Sequence, residues 1–305
     1  MNPAWSVIIF TTLAGAAQGM VVTLALARLS GIVMAPGFVS RSLMLALVML
    51  LISLGSSFLH LGRPERAWRA VLMWRTSWLS REVIVLPSFI GAVALWWWAG
   101  GTVHAVWLLA VVLLAALLWW CTAMIYACLR FIEEWAHPLT VAGFVLIGLS
   151  SGLVLACALA ALAGQDELLQ AAAPWALRIT VAALVVRLIA LRRNARLKHK
   201  SSLQSATGIK ADVLKQTSMG MSAGSFNTRE FFHRAGAAAF AQIRLVFIAL
   251  GFVLPAVLML WALNADSLAL WLAAFIVQLP GLAAERWFFF AQARHPQNLY
   301  YQVVS

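Results

Sequence analysis

A histidine and a glutamate are the residues of this chain best placed to move protons beside a redox carrier. His60 ends one long apolar run, and Glu82 opens the next one. A neutral imidazole can hydrogen-bond a quinone oxygen and exchange its proton near neutral pH, and a nearby carboxyl can relay that proton. The pair therefore predicts proton-coupled quinone chemistry where two helices reach a membrane surface.

Five arginines lie between these two apolar runs. Three of them, Arg63, Arg66 and Arg81, stand beside His60 or Glu82 in the sequence and complete the predicted quinone site. Simpler interpretations remain open. Backbone carbonyls would satisfy an interfacial histidine, Glu82 would interact with the dipole of its own helix N-terminus, and the arginines would contact lipid phosphates.

Apolar helices must position these side chains. Of the 305 residues, 63% are hydrophobic and 10% are charged, whereas a soluble domain has about 25% charged residues. The apolar runs are continuous over about 20 residues, which favours helices over the alternating strands of a membrane barrel. We predict an all-α integral membrane protein, with a single membrane domain over residues 1–305. Its eight spans are expected at roughly 5–27, 42–61, 83–100, 103–129, 138–163, 174–192, 243–263 and 267–289.

The charge distribution predicts the orientation of these spans. The net charge is +12, and 19 of the 22 lysines and arginines fall on the side that carries both termini. Cytoplasmic loops carry the excess of basic residues. We therefore expect a multi-pass protein of the bacterial inner membrane with both termini, His60 and the long connection 193–241 in the cytoplasm. This location of the charge also argues against a nucleic-acid partner.

The connection 193–241 is predicted to dock a soluble partner subunit. Its last part resembles a short amphipathic helix that Asn227 or Thr228 would cap. Arg229, Glu230 and His233 on that helix are the predicted docking residues. The alternative is a basic, disordered loop whose charge only fixes the topology.

Several other chemistries find little support. The three cysteines lie inside apolar runs without a CxxC pair, so no zinc or iron–sulfur site of this chain is expected. No histidine lies deep in a span, and a haem between His60 and His137 is the one haem arrangement left open. A transporter would need polar residues at mid-depth, where we find no carboxylate. Arg178 and Arg187 are close enough to span ends to reach the surface.

The stretch Leu59–Ala67, LHLGRPERA, followed by Ser80-Arg81-Glu82, resembles the membrane-anchor subunits of the dimethyl sulfoxide reductase family. The resemblance implies an anchor for a molybdopterin catalytic subunit and a four-cluster iron–sulfur subunit. It implies electron exchange between a [4Fe–4S] cluster of the partner and ubiquinone or menaquinone, with His60 in quinone binding and no haem in this chain. Glu82 matches a family position whose role is less well defined.

The predicted orientation departs from the reductases of this family, whose catalytic subunits lie in the periplasm. It resembles the anchors of cytoplasmic sulfite dehydrogenases. We therefore expect oxidation of sulfite to sulfate with quinone as acceptor. The alternatives are an S- or N-oxide reductase that oxidises menaquinol, and a purely structural tether whose quinone site lies on the partner.

Overall fold

The computed structural model describes residues 1–59, 61–198, 200–218, 235–265 and 267–300. The described part of the protein is a helical bundle. Its helices are α1 Trp5–Leu29, α2 Pro36–Phe58, α3 Trp78–Trp98, α4 Ala105–Ala127, α5 Pro138–Leu162, α6 Asp166–Ala195, the short α7 Leu203–Thr207, α8 Ala237–Ala265 and α9 Leu268–Ala291. The 3-10 helices Pro64–Met73 and Pro296–Tyr300 lie between or after them.

Eight of these helices, all except α7, are long and apolar enough to cross a membrane. This confirms the predicted eight-helix architecture. Because successive spans alternate in direction, α1, α3, α5 and α8 begin, and α2, α4, α6 and α9 end, on one face. We call this the N-terminal face; it carries the 3-10 helix Pro64–Met73.

Several helices begin earlier than the sequence pattern predicted. Helix α2 begins at Pro36, a residue type whose fixed φ suits the first helical position. Helix α6 begins at Asp166 and continues through Pro174, where the predicted span began. Asp166 and Glu167 occupy its first turn, where negative side chains stabilise the positive end of the helix dipole.

Helix α1 crosses α5 at glycine residues, where no side chain separates the two backbones. A Cβ placed on Gly152 would lie 2.1 Å from the carbonyl carbon of Gly19, and one on Gly19 would lie 2.1 Å from the Gly148 oxygen. Both obstacles are backbone atoms, which cannot rotate away. Small residues at such crossings let membrane helices approach closely. The close approach of α1 to α5 depends on this contact, and residues of both helices belong to the main hydrophobic core.

Candidate functional site

Glu82 lies inside the bundle. The residue is 5% exposed, and the hydroxyl of Thr122 on α4 donates a hydrogen bond to its Oε1 atom. No described lysine, arginine or histidine forms an ion pair with it. The structure therefore places a carboxyl and a hydroxyl together between α3 and α4, close to the N-terminal face.

The start of α3 explains why Glu82 is buried. The helix begins at Trp78, and the Ser77 hydroxyl accepts a hydrogen bond from the Ser80 amide as its N-cap. Glu82 then falls in the second turn rather than opening the helix. The helix dipole acts mainly within the first turn, so the geometry favours a bundle-facing polar site over the dipole interpretation.

Arg81, the neighbour of Glu82, fixes the segment that precedes α3. Its Nε donates to the Trp74 carbonyl at 2.9 Å and its Nη2 to the Arg75 carbonyl at 2.8 Å. Its guanidinium carbon lies 4.1 Å from the centroid of the Trp78 ring. These contacts use two of the three guanidinium nitrogens, so the structure shows Arg81 positioning the connection; a contact with quinone stays a prediction.

The connection before α3 is a 3-10 helix with two exposed ridges. Because this helix has three residues per turn, side chains three positions apart align. One ridge contains Arg66 and Arg69, followed by Leu72; with Arg63 just before the helix and Arg75 just after it, these four arginines form what we call the arginine ridge. The second consists of Trp68, Val71 and Trp74, with Trp68 62% exposed. Arg69 and Arg75 each lie over the ring of the preceding tryptophan.

The structure describes some of the other predicted site residues and not others. Arg63 precedes the 3-10 helix, and Arg66 forms an exposed ion pair of 3.9 Å with Glu65. His60 lies outside the described residues, but its neighbours Leu59 and Leu61 connect α2 to the 3-10 helix. The docking residues Arg229, Glu230 and His233 also lie outside the described residues.

A buried ion cluster on the N-terminal face went unrecognised in the sequence. Arg187 of α6 is 5% exposed, and its Nε lies 2.7 Å from Oε1 of Glu285 on α9. Arg286 Nε lies 2.6 Å from the other carboxylate oxygen. The expectation that Arg187 reaches the surface was therefore wrong, because Glu285 near the end of α9 is its buried partner. An arginine and a carboxylate pair across two spans, which no local spacing reveals.

Two histidines and the N-terminal amine lie on the N-terminal face. His137 caps α5, because its Nδ1 accepts the Leu139 amide at 3.2 Å. Burial, together with the charge of Arg193, lowers the pKa of His137. Burial and the N-terminal amine lower the pKa of His295. In the described part of the protein, no group of three or more His, Cys, Asp or Glu side chains could hold a metal ion.

Comparison with known proteins places the whole sequence in one group. The family profile described as DMSO reductase anchor subunit (DmsC) matches residues 1–301. The sequence is 45% identical to the C subunit of sulfite dehydrogenase from Allochromatium vinosum, and the alignment covers 100% of both proteins. It is 28% identical to the C chain of anaerobic dimethyl sulfoxide reductase from Escherichia coli, over 68% of this protein and 75% of that one.

Proposed function

Since this chain belongs to the family of DMSO reductase anchor subunits (DmsC), we propose that it carries the site at which its complex exchanges electrons with quinone. The protein is a multi-pass membrane anchor in an oxidoreductase complex with catalytic and iron–sulfur subunits. The specific partners we propose are a molybdopterin catalytic subunit and a four-cluster iron–sulfur subunit. A [4Fe–4S] cluster of the latter would face the N-terminal face.

The Glu82–Thr122 pair is the observation that carries this proposal. A carboxyl buried in a spanning helix is expensive and marks a functional site by default. Thr122 engages only Oε1, so Oε2 is left for a quinone oxygen or for His60. A quinone supplies two-electron chemistry that is coupled to two protons. Glu82 and His60 would hold and transfer those protons, and Arg63 and Arg66 would orient the headgroup at the surface.

Docking of the iron–sulfur subunit is proposed to use two surfaces of the N-terminal face. Within the arginine ridge, Arg66 and Arg69 are about 6 Å apart along the axis, because a 3-10 helix rises about 2 Å per residue; Arg63 and Arg75 add cations before and after it. Acidic groups on a partner would complement such a row. Arg229, Glu230 and His233 remain the docking residues proposed in the long connection. The exposed tryptophans beside the ridge suit the level of the lipid headgroups.

The proposed reaction is oxidation of sulfite to sulfate, with electrons passing through the partner to quinone. Whole-sequence similarity to a sulfite dehydrogenase subunit supports it, and so does the charge asymmetry that predicts cytoplasmic termini. Reporter fusions after Ser305 test this orientation in the inner membrane. A cytoplasmic reporter should be active and a periplasmic one silent. The reverse result would favour the second candidate, an S- or N-oxide reductase that oxidises menaquinol.

The His60→Ala variant distinguishes an anchor that carries the quinone site from one that only tethers the complex to the membrane. In the intact purified complex we expect quinone-dependent turnover to fall at least tenfold. Sulfite oxidation with an artificial acceptor that takes electrons directly from the partner subunits should be unchanged. Full quinone-dependent turnover in a fully assembled variant complex would show that His60 is not needed, and would support a structural tether.

A further inference from the structure

The buried cluster of Arg187, Glu285 and Arg286 borders a small cavity between α5, α6 and α9. The cavity has a volume of about 20 Å³, and about 10–15 Å³ suffices to admit one water-sized particle. His137, Arg193 and Asn194 also line it. These residues stand at the beginning of α5 and the end of α6, so the cavity lies toward the N-terminal face.

Three buried donor atoms at this cavity have no hydrogen-bond partner among the described residues. They are Nη2 of Arg187, Nη1 of Arg286 and Nε2 of Gln292. Both arginines are less than a tenth exposed, and each uses its Nε atom on the Glu285 carboxylate. Leaving a buried donor unpaired is unfavourable, and more so where the group is charged. Three such donors around one cavity imply a shared acceptor.

The charges around the cavity indicate the nature of that acceptor. Arg187, Arg286 and Arg193 are positive, and the carboxylates of Glu285 and Glu134 are negative. The N-terminal amine also lies near Glu134, but burial lowers the pKa of this amine to about 5, so it is neutral at pH 7. The four buried groups therefore balance, and Arg193, which is only half-buried near the end of α6, adds one positive charge. This charge and the unpaired donors favour an anion as the acceptor.

We propose that this cavity binds one small inorganic anion with the size and charge of chloride. The anion accepts hydrogen bonds from Arg187, Arg286 and Gln292 and balances the positive charge of Arg193. It enters from the N-terminal face, past His137 and Arg193. A phosphate or lipid headgroup is too large for the cavity. The bound anion thereby joins α6 to the end of α9 and stabilises the bundle.

Binding is measured on the purified complex after exchange into gluconate, an anion too large to enter. We expect saturable binding of radioactive chloride at one ion per anchor subunit. Chloride and bromide should also raise the thermal unfolding temperature at constant ionic strength, because a ligand that binds the folded state stabilises it. The absence of saturable binding would overturn the proposal and leave a water molecule as the occupant.

Substitutions of Gln292 locate the site. Gln292→Glu supplies a built-in negative charge, so chloride affinity should fall at least tenfold while unfolding becomes independent of chloride. Gln292→Met removes one donor without adding charge, and affinity should fall about tenfold. Gln297→Glu, the same change at a nearby position in the 3-10 helix after α9, should leave affinity within twofold. Wild-type affinity in both Gln292 variants would place the ion elsewhere and overturn the assignment.

Discussion

Thr122 of α4 donates a hydrogen bond to Glu82 of α3, and both side chains are buried. The contact joins two helices that are also linked by a hydrogen bond from the Trp107 indole to the Ala92 carbonyl. A polar pair in this environment is costly unless each member is satisfied. We therefore interpret the pair as part of the quinone site, and it is the starting point for the first prediction.

Removing the Thr122 hydroxyl should impair quinone exchange. Thr122→Val keeps the shape of the side chain but leaves Glu82 without its donor. We expect quinone-dependent turnover of the complex to fall about five- to tenfold, since a lost hydrogen bond to a charged or buried group is worth about 1–3 kcal/mol. Thr122→Ser retains the hydroxyl and should stay within twofold of the wild type. Equal kinetics with a soluble quinone analogue in both variants would contradict this role.

Reversing charge on the arginine ridge should weaken assembly. The double variant Arg66→Glu and Arg69→Glu replaces two exposed cations by anions, so an acidic partner surface would be repelled. Co-purification of the iron–sulfur subunit with the anchor should fall at least fivefold. Arg192→Glu with Arg196→Glu changes the charge equally on the same face, at the end of α6, and should assemble normally. Undiminished co-purification of the ridge variant would exclude the ridge as a docking surface.

The glycine crossing between α1 and α5 should not tolerate a methyl group. Gly152→Ala would bring its Cβ within 2.1 Å of the Gly19 backbone, and the two helices must separate. We expect the thermal unfolding temperature to fall by several degrees or assembly to fail. Gly91→Ala is the control, because no described atom beyond its own surroundings in the helix lies within 4 Å of the added Cβ; it should be neutral or slightly stabilising. Equal stability of both variants would contradict the close crossing.

The N-terminal amine should make stability depend on pH. It donates to the carbonyls of Ala291 and Ala293, and burial lowers its pKa from 8.0 to about 5 against the opposing attraction of Glu134. Between pH 5 and 8 the unfolded protein then binds a proton that the folded protein does not. Stability due to this amine is therefore complete above pH 8 and decreases as the pH falls toward 5.

A short extension before Met1 tests the pH dependence. The unfolding temperature of the wild type should rise between pH 5 and 8, and the extended protein should lose a substantial part of that rise. The same extension after Ser305 should leave the rise unchanged. An identical pH profile for the N-terminally extended protein would show that the amine does not contribute.

Much of the fold could be predicted because it depends on local composition. Long apolar runs predicted the eight spanning helices, and the spacing of His60 and Glu82 directed attention to the end of α2 and the start of α3. The start of α3 was misplaced because the Ser77 cap lies outside the apolar run. The alignment of Arg66 with Arg69 was not anticipated, since it depends on a three-residue period rather than an α-helical one.

The buried ion cluster could not be predicted from local patterns. Arg187 and Glu285 belong to helices far apart in the sequence, and each looks like an interfacial charge when its own span is considered alone. Their pairing requires the packing of α6 near α9, which only the assembled bundle shows. The same holds for Thr122, an unremarkable polar residue of α4 until α3 places Glu82 beside it.

The most direct test of the quinone site is to map where a photoreactive azidoquinone labels the purified complex. Our account predicts labelling, suppressed by excess unlabelled quinone, within residues 58–82 or at the Thr122 end of α4. Competable labelling at the opposite membrane face, for example in residues 99–104 between α3 and α4, would contradict it.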